Sequence, residues 1–154
     1  MTAYVLKAGV WSASKRRPSR RRAALLLSLA LALGVLGGCA RKLQLQALPE
    51  AKGGTVDVRV DLTYNRNDRI RLEMKVPEPA AYGAPYNRYV AWVAPPDRSQ
   101  VFNVGQIRVE GGKGKLDTLT PLRKFWLFLT VEEQGDVLKP GPLVVFKSPA
   151  LIEW

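Results

Sequence analysis

The chain has 154 residues, enough for one domain, with 24 Lys and Arg against 13 Asp and Glu. Seven basic residues and no acidic ones lie in residues 1–39, so the remainder holds 17 basic and 13 acidic residues, a net charge of only +4. This balance does not predict nucleic-acid binding, and the lack of His and of any Cys besides Cys39 excludes Ser-His and Cys-His catalysis, the usual zinc sites and a disulfide within the chain.

The N-terminal residues are typical of an export signal. Residues 15–22, KRRPSRRR, precede a run of small and apolar residues over 23–36. As a helix this run would span about 21 Å, less than the roughly 30 Å of a bilayer core. A basic segment, a short apolar segment and small residues in that order predict a secretory signal peptide over residues 1–38.

A four-residue motif, Leu36-Gly37-Gly38-Cys39, spans the end of the predicted signal peptide and the residue that follows it. It resembles the lipobox of bacterial lipoproteins. The resemblance implies that the signal peptidase recognises Leu36, Gly37 and Gly38, and that Cys39 is acylated on sulfur, for example with palmitate, and becomes the mature N-terminus. Ala40 stands where an Asp retains some lipoproteins at the inner membrane. We therefore predict a lipid anchor facing the periplasm or the cell exterior, with the outer membrane favoured over the inner one.

Residues 39–54 lack a strong period and contain Pro, Gln, Lys and a Gly pair, which predicts a lipidated Cys followed by a short flexible tether. From Thr55 onward, apolar and polar residues alternate over 55–64 and again over 69–76. This period of two predicts strands with one buried face and one solvated face.

These two strands are expected to pair as a hairpin. The register that places Asp61 opposite Arg71 brings opposite charges together along the solvated face, whereas a shift of two positions brings like charges together. We therefore predict that register, with a three-residue loop over 65–67 and Asn67 in the left-handed conformation. The charged face is interpreted as self-paired, and a polyanion-binding surface is the alternative.

The later elements continue the strand pattern. Residues 77–88 are rich in Pro and predict a loop, and Gly111-Gly112 predicts a two-residue hairpin turn. Strands are predicted over 89–94, 101–110, 113–119, 125–132 and 143–147. About seven short strands predict an all-β antiparallel sandwich over residues 55–154. The apolar C-terminal residues 151–154 are expected to dock on this domain, or else to bind a partner.

Between residues 89 and 146, the segments YVAWV, NVGQI, LFLTVE and KPGPLV occur in that order. This stretch resembles the extracytoplasmic domain of anti-sigma-K-type factors. The resemblance implies an immunoglobulin-like fold and a sensory or regulatory role outside the cytoplasm.

Four aromatic residues are the candidates for a partner-binding surface. Tyr82 and Tyr86 flank the Pro-rich loop, and Trp126 and Phe128 lie on a strand that is apolar on both faces. An exposed aromatic patch would suit a protein or a glycan. The alternative is that both faces of this strand are covered, one by the opposing sheet and the other by the loop.

The densest acidic cluster is Glu132, Glu133 and Asp136. Adjacent strand residues point to opposite faces, so Glu132 and Glu133 are not expected to converge on a metal ion or to form an acid–base pair. We predict no catalytic residue, metal or cofactor. The predicted function is that of a membrane-anchored, non-enzymatic binding or assembly module of the cell envelope, with envelope proteins as partners and a glycan as a further option. An extracytoplasmic sensory or regulatory module is the alternative.

Overall fold

Strands dominate residues 40–153, the part of the chain that the computed structural model describes. The predicted signal peptide and Cys39 lie outside the described residues. The strands are β1 (Arg41–Gln44), β2 (Gln46–Ala47), β3 (Thr55–Leu62), β4 (Asp68–Lys75), β5 (Arg88–Ala94), β6 (Phe102–Ile107), β7 (Val109–Glu110), β8 (Lys113–Thr120), β9 (Lys124–Glu132), β10 (Val144–Lys147) and β11 (Ile152–Glu153). A 3₁₀ turn over Pro79–Tyr82 interrupts the loop between β4 and β5.

The strands form two antiparallel sheets, which confirms the all-β sandwich. The first sheet has the order β1-β3-β4-β8-β7, and the second has the order β2-β10-β9-β5-β6 with β11 also paired to β9. The chain passes from the first sheet to the second at Leu45, between β1 and β2. It returns to the first sheet between β2 and β3 and reaches the second again between β4 and β5. It then passes back at Arg108, between β6 and β7, so the predicted strand 101–110 is two strands in different sheets.

The core lies between the two sheets and follows from the period-two pattern. Alternate residues of β3 and β4 are buried, and the residues between them face solvent. The second sheet contributes the larger side chains. The inward-facing residues that are fully buried include Val56, Val60, Ile70, Leu72, Tyr89, Ala91, Phe125, Leu127, Leu129 and Ile152.

The predicted flexible tether is wrong over residues 41–48, half of its length. Residues 41–44 pair with β3, and residues 46–47 pair with β10. Leu45, between them, is buried in the core, and the Leu48 N–H donates to the Val145 carbonyl oxygen at 2.9 Å. The two short strands escaped the pattern analysis because their neighbours in both sheets, and not their own alternation, hold them in place.

The predicted register of β3 and β4 is also wrong. Arg59 lies opposite Arg71, and Asp61 lies opposite Arg69. Each residue of β3 therefore pairs with the β4 residue two positions earlier in the chain than expected. The charges are balanced by other neighbours: Asp61 accepts hydrogen bonds from Arg59 Nε at 3.0 Å and from Arg71, which lies diagonally across the pair. Both contacts lie within β3 and β4, but neither joins directly opposite residues, so pairing of opposite residues alone does not predict them.

The third strand, β8, completes this balance. Arg69 Nε donates to Asp117 at 2.7 Å, and Lys115 Nζ donates to Glu73 at 3.1 Å, so both residues of β4 find their acidic or basic partners on β8 rather than on β3. Burial raises the pKa of Asp61, but the hydrogen bonds from the two arginines outweigh it and leave that pKa below its usual value. These contacts agree with a self-paired charged face.

The register shift lengthens the hairpin loop to five residues, 63–67. The Thr63 N–H and its hydroxyl both donate to the Asn67 carbonyl oxygen, at 2.9 and 2.7 Å. The left-handed residue is Arg66, with φ of 65°, and not the predicted Asn67. Five-residue loops are commonly built around a tight turn, here closed by the Arg66 N–H on the Thr63 carbonyl oxygen at 3.1 Å.

Three other expectations are confirmed. Gly111 and Gly112 have φ of 59° and 74° and join β7 to β8 in a two-residue turn. The strand β9 has partners on both sides, β10 and β5, as its apolar faces predict. Ile152 of the C-terminal segment is buried and pairs with Phe125.

The loops gather at two ends of the sandwich. We call the entry end the one formed by Arg41 and the loops 63–67, 95–101 and 121–123, because the described chain begins there: Arg41 pairs with Val60, near the end of β3. The far end comprises the loops 48–54, 76–87, 111–112 and 133–143.

Candidate binding surfaces

The structure separates the four aromatic candidates into two pairs. Tyr82 and Tyr86 belong to the far end and pack against the inner core. Trp126 and Phe128 lie on the opposite, outer face of the second sheet, because the residues that alternate with them on β9 point into the core. The four residues therefore do not form one surface.

The tyrosine pair is held as part of the fold. The ring of Tyr82 meets the ring of Tyr89 edge-on, with centroids 6.2 Å apart, and the Tyr82 hydroxyl accepts a hydrogen bond from the Lys52 N–H at 3.1 Å. The buried Tyr89 hydroxyl donates to the Pro77 carbonyl oxygen at 2.9 Å, and burial raises the pKa of this phenol. These contacts tie the Pro-rich loop to the core, against which both Tyr82 and Tyr86 are partly buried.

The second pair lines a groove of about 440 Å³ on the outer face, which we call the aromatic groove. Its lining residues are Gln46, Ala94, Arg98, Val101, Trp126, Leu127, Phe128, Val144, Lys147, Ser148 and Pro149. The Arg98 guanidinium lies 5.0 Å from the centre of the Trp126 ring, within the range of a cation–π contact. Sequence reasoning found the two aromatic residues but missed Arg98, which lies in a loop without a recognisable motif.

A second, smaller core supports the groove. Val90, Trp92 and Ala94 of β5 point to the outer face and are nevertheless fully buried. Trp92 Nε1 donates to the Thr130 hydroxyl at 2.8 Å, and the Trp92 ring is nearly parallel to that of Phe128, with centroids 6.4 Å apart. Trp92, directly opposite on β5, thus holds Phe128 on one side, and the rest of the Phe128 ring faces the groove.

Part of this outer face is covered, but the covering segment is the loop 133–143 and not the Pro-rich loop. The Asn103 side-chain amide donates to the carbonyl oxygens of Gly135 and Val137, both at 3.0 Å. The Gly141 N–H donates to Glu132 Oε1 at 2.8 Å. The loop closes the outer face near the far end and leaves the aromatic groove open.

The acidic cluster is spread over two elements, with Glu132 at the end of β9 and Glu133 and Asp136 in the loop 133–143. Glu132 is buried and bonded to the loop backbone, whereas Glu133 and Asp136 are exposed. Within residues 40–153, no group of three or more acidic, His or Cys side chains is placed to hold a metal ion. The same described residues include no helix with the length and hydropathy needed to cross a bilayer.

Asp68 is the one carboxylate enclosed by the inner core among the described residues. It begins β4, is completely buried, and receives no hydrogen bond on either oxygen. An arginine of the entry end, Arg123, places Nη1 3.8 Å from Asp68 Oδ1. Burial raises the pKa of Asp68, and the positive charge of Arg123 offsets this only in part.

Asp68→Asn should stabilise the domain at neutral pH. Because the pKa of Asp68 is higher in the folded state than its usual 3.8, the free energy of unfolding falls as pH rises from about 4 through the folded pKa. At pH 7 we expect the free energy of unfolding of the Asn variant to be about 1 kcal/mol higher than that of the unchanged protein. The variant should also lack this pH dependence. Urea unfolding at a series of pH values measures both effects.

Asp117→Asn is the matched control, since Arg69 holds the pKa of this exposed carboxyl below its usual value. Asp117 therefore contributes stability above about pH 4 that is lost as pH falls, the opposite sign. A decrease in stability at pH 7 for Asp68→Asn, as for Asp117→Asn, would show that the Arg123 charge outweighs the burial of Asp68.

Comparison with family models, with curated proteins and with solved structures gives no match for this chain.

Proposed function

We propose that this chain is an envelope lipoprotein, anchored through Cys39, whose β-sandwich is a non-enzymatic binding or assembly module. The observation that carries the binding role is the aromatic groove, an open apolar surface on a sheet face that is otherwise closed by its own loop. Trp126 and Phe128 supply contact area, and Trp92, which is bonded to Thr130, stacks on Phe128 and keeps it in place. Rigid aromatic side chains lose little conformational entropy when a partner binds.

The charges of the groove define the partner further. All of its lining residues lie in the described part of the chain. Among them only Arg98 and Lys147 are charged, and both are basic. A protein segment with an aromatic or aliphatic side chain next to a carboxylate would satisfy both the apolar floor and the basic rim. A glycan stacked on Trp126 is the alternative ligand.

Photo-crosslinking in cells tests the groove. A photoreactive amino acid at position 126 is expected to capture one or two envelope proteins repeatedly, identified by mass spectrometry of the solubilised envelope. The control carries the same residue at position 138, where Leu138 is more exposed than Trp126 and lies at the far end. Capture of lipid and bulk envelope proteins alone, or the same proteins from both positions, would argue against the groove as a binding site.

Replacing Cys39 with Ser tests the anchor separately. The unchanged protein is expected to incorporate a clickable palmitate analogue and to sediment with membranes, because two or three acyl chains hold a protein on a bilayer almost irreversibly. Cys39→Ser should abolish both properties, since the thiol is the acyl acceptor. Equal labelling of the two proteins would overturn the lipoprotein assignment.

The regulatory role has one observation in its favour. Three of the segments that resemble anti-sigma-K-type domains fall on β5, β6 and β9, which are adjacent strands of one sheet, and the fourth, KPGPLV, lies in the loop that leads into β10. A regulator that spans the membrane would then be the protein captured from position 126. Trp126→Ala should in that case change expression of the genes under its control, whereas an assembly module should leave their expression unaltered.

A further inference from the structure

The entry end carries most of the exposed apolar side chains of the described domain. The described domain has five exposed large apolar residues. Four of them lie at this end: Leu62 (51% exposed), Tyr64 (106%), Phe102 (44%) and Leu119 (50%). The fifth, Leu138, is at the far end. Tyr64 projects from the tip of the loop 63–67 without protein cover. Clustered exposed apolar side chains indicate a contact surface.

Two arginines at the same end occupy an unusual backbone conformation. Arg66 and Arg98, with φ of 65° and 54°, are the only residues other than Gly with a positive φ in residues 40–153. Each closes a tight turn, with its N–H donating to the carbonyl oxygen of Thr63 or of Pro95. Gly or Asn adopts this conformation at lower cost, so the backbone alone does not account for Arg at either position.

Neither arginine has an acidic partner in the described part of the chain, although the Arg98 guanidinium also lies over the Trp126 ring at the edge of the aromatic groove. Neither Arg66 nor Arg98 has a carboxylate oxygen within 4.0 Å among the described residues. The acidic residues nearby are engaged: Asp68 is buried beside Arg123, and Glu153 pairs with Lys124 at 2.9 Å. Asp97 is exposed and accepts from Ser99. Basic residues thus exceed acidic ones on this surface.

The chain also enters the domain here. Arg41 begins β1 two positions after Cys39 and pairs with Val60. Its Nη1 donates to the Glu153 carbonyl oxygen at 3.1 Å, which fixes the start of β1 to the end of the chain. A lipid on Cys39 would therefore hold this end of the sandwich, and not the far end, beside the bilayer.

From these observations we infer that the entry end is a membrane-contact surface that rests on anionic phospholipid. The inference rests on the proposed lipidation of Cys39. The phenol ring of Tyr64 suits the headgroup region, where amphipathic aromatic rings concentrate. Arg66 and Arg98 meet lipid phosphates, which attract basic residues near the bilayer. Because the anchor keeps the domain at the surface, weak contacts are enough to fix its orientation.

The test uses the full chain, purified in its lipidated form and placed in vesicles of phosphatidylcholine with phosphatidylglycerol. Cysteines introduced as Tyr64→Cys or Leu138→Cys carry a fluorophore, and acylation keeps Cys39 from reacting. A spin label on the lipid headgroups is expected to quench the fluorophore at position 64 strongly and that at position 138 little. Equal quenching at the two positions would overturn the inference.

Arg66→Gly combined with Arg98→Gly tests the role of charge without damaging the fold. Gly accepts the left-handed conformation, and the Arg66 carbonyl oxygen that accepts from Arg123 is retained. We expect the fraction of molecules quenched at position 64, relative to the unquenched fraction, to fall roughly tenfold. The matched control, Arg108→Gln with Lys139→Gln, removes two charges outside the entry end and should change nothing. Recognition of anionic lipid would be contradicted if quenching at position 64 were the same with and without the two arginines. It would also be contradicted if that quenching persisted in vesicles of phosphatidylcholine alone.

The intact mass of the purified protein separates the two proposals. A protein without acyl chains refutes the proposed anchor, and its Cys39 thiol can then be coupled to a maleimide lipid before the same measurement. Quenching at position 64 in the coupled protein would preserve the contact surface, and its absence would refute that surface independently.

Discussion

Trp92→Ala should lower the free energy of unfolding by about 3–5 kcal/mol, among the largest losses for any single substitution in this domain. Trp92 is completely buried on the outer face of the second sheet, where it stacks on Phe128 and bonds to Thr130. Removing the indole leaves a cavity that the flanking strands cannot close, and the Thr130 hydroxyl loses its donor. Guanidinium unfolding followed by far-ultraviolet circular dichroism measures the loss.

Trp126→Ala is the matched control, since it is the same substitution on the same face of the neighbouring strand β9. Trp126 is only half-buried and lines the open groove. We expect a loss of about 1 kcal/mol there, together with loss of partner capture. Similar losses for the two variants would mean that the outer face has no core of its own.

Gly54→Ala should destabilise the domain by about 3 kcal/mol or more, because it combines backbone strain with a steric clash. Gly54 has φ of 103°, which an L side chain rarely adopts. An added Cβ would overlap the Lys75 carbonyl oxygen and lie 2.9 Å from Val76 Cα. Both are backbone atoms at the end of β4, so relief would require the strand to move. Thermal unfolding compared with the unchanged protein gives the effect.

Gly53→Ala separates strain from clash. Gly53 has a similar φ of 96°, but nothing lies within 4 Å of the position of its Cβ. We expect this variant to lose about 1–2 kcal/mol from strain alone. If the two variants melt at the same temperature, close packing of Gly54 against β4 contributes nothing and the second part of the prediction is wrong.

The sequence pattern predicted the strands that carry their own signal. Alternation identified β3 and β4, the Gly pair located the turn between β7 and β8, and the doubly apolar run 125–132 predicted an interior strand. Each of these features depends on residues close in sequence. The immunoglobulin-like arrangement of the strands stays a prediction.

The errors share one physical cause, which is that distant neighbours decide the outcome. The register of β3 and β4 depends on β8 and on diagonal contacts of Asp61, and β1 and β2 form because both sheets offer them free edges. The same holds for the candidate surfaces. Trp126 and Phe128 could be named from their strand, but the entry end joins loops 95–101 and 63–67 that no local pattern relates.

The position of β1 has a consequence for how far the domain can travel. A fifteen-residue flexible linker would allow an excursion of up to about 50 Å from the bilayer. Here only Ala40 separates Cys39 from Arg41, the first residue of β1. With a lipid on Cys39, the distance of the aromatic groove from the bilayer would hardly exceed the length of the domain itself. A partner would therefore have to come to the membrane surface or share the same leaflet.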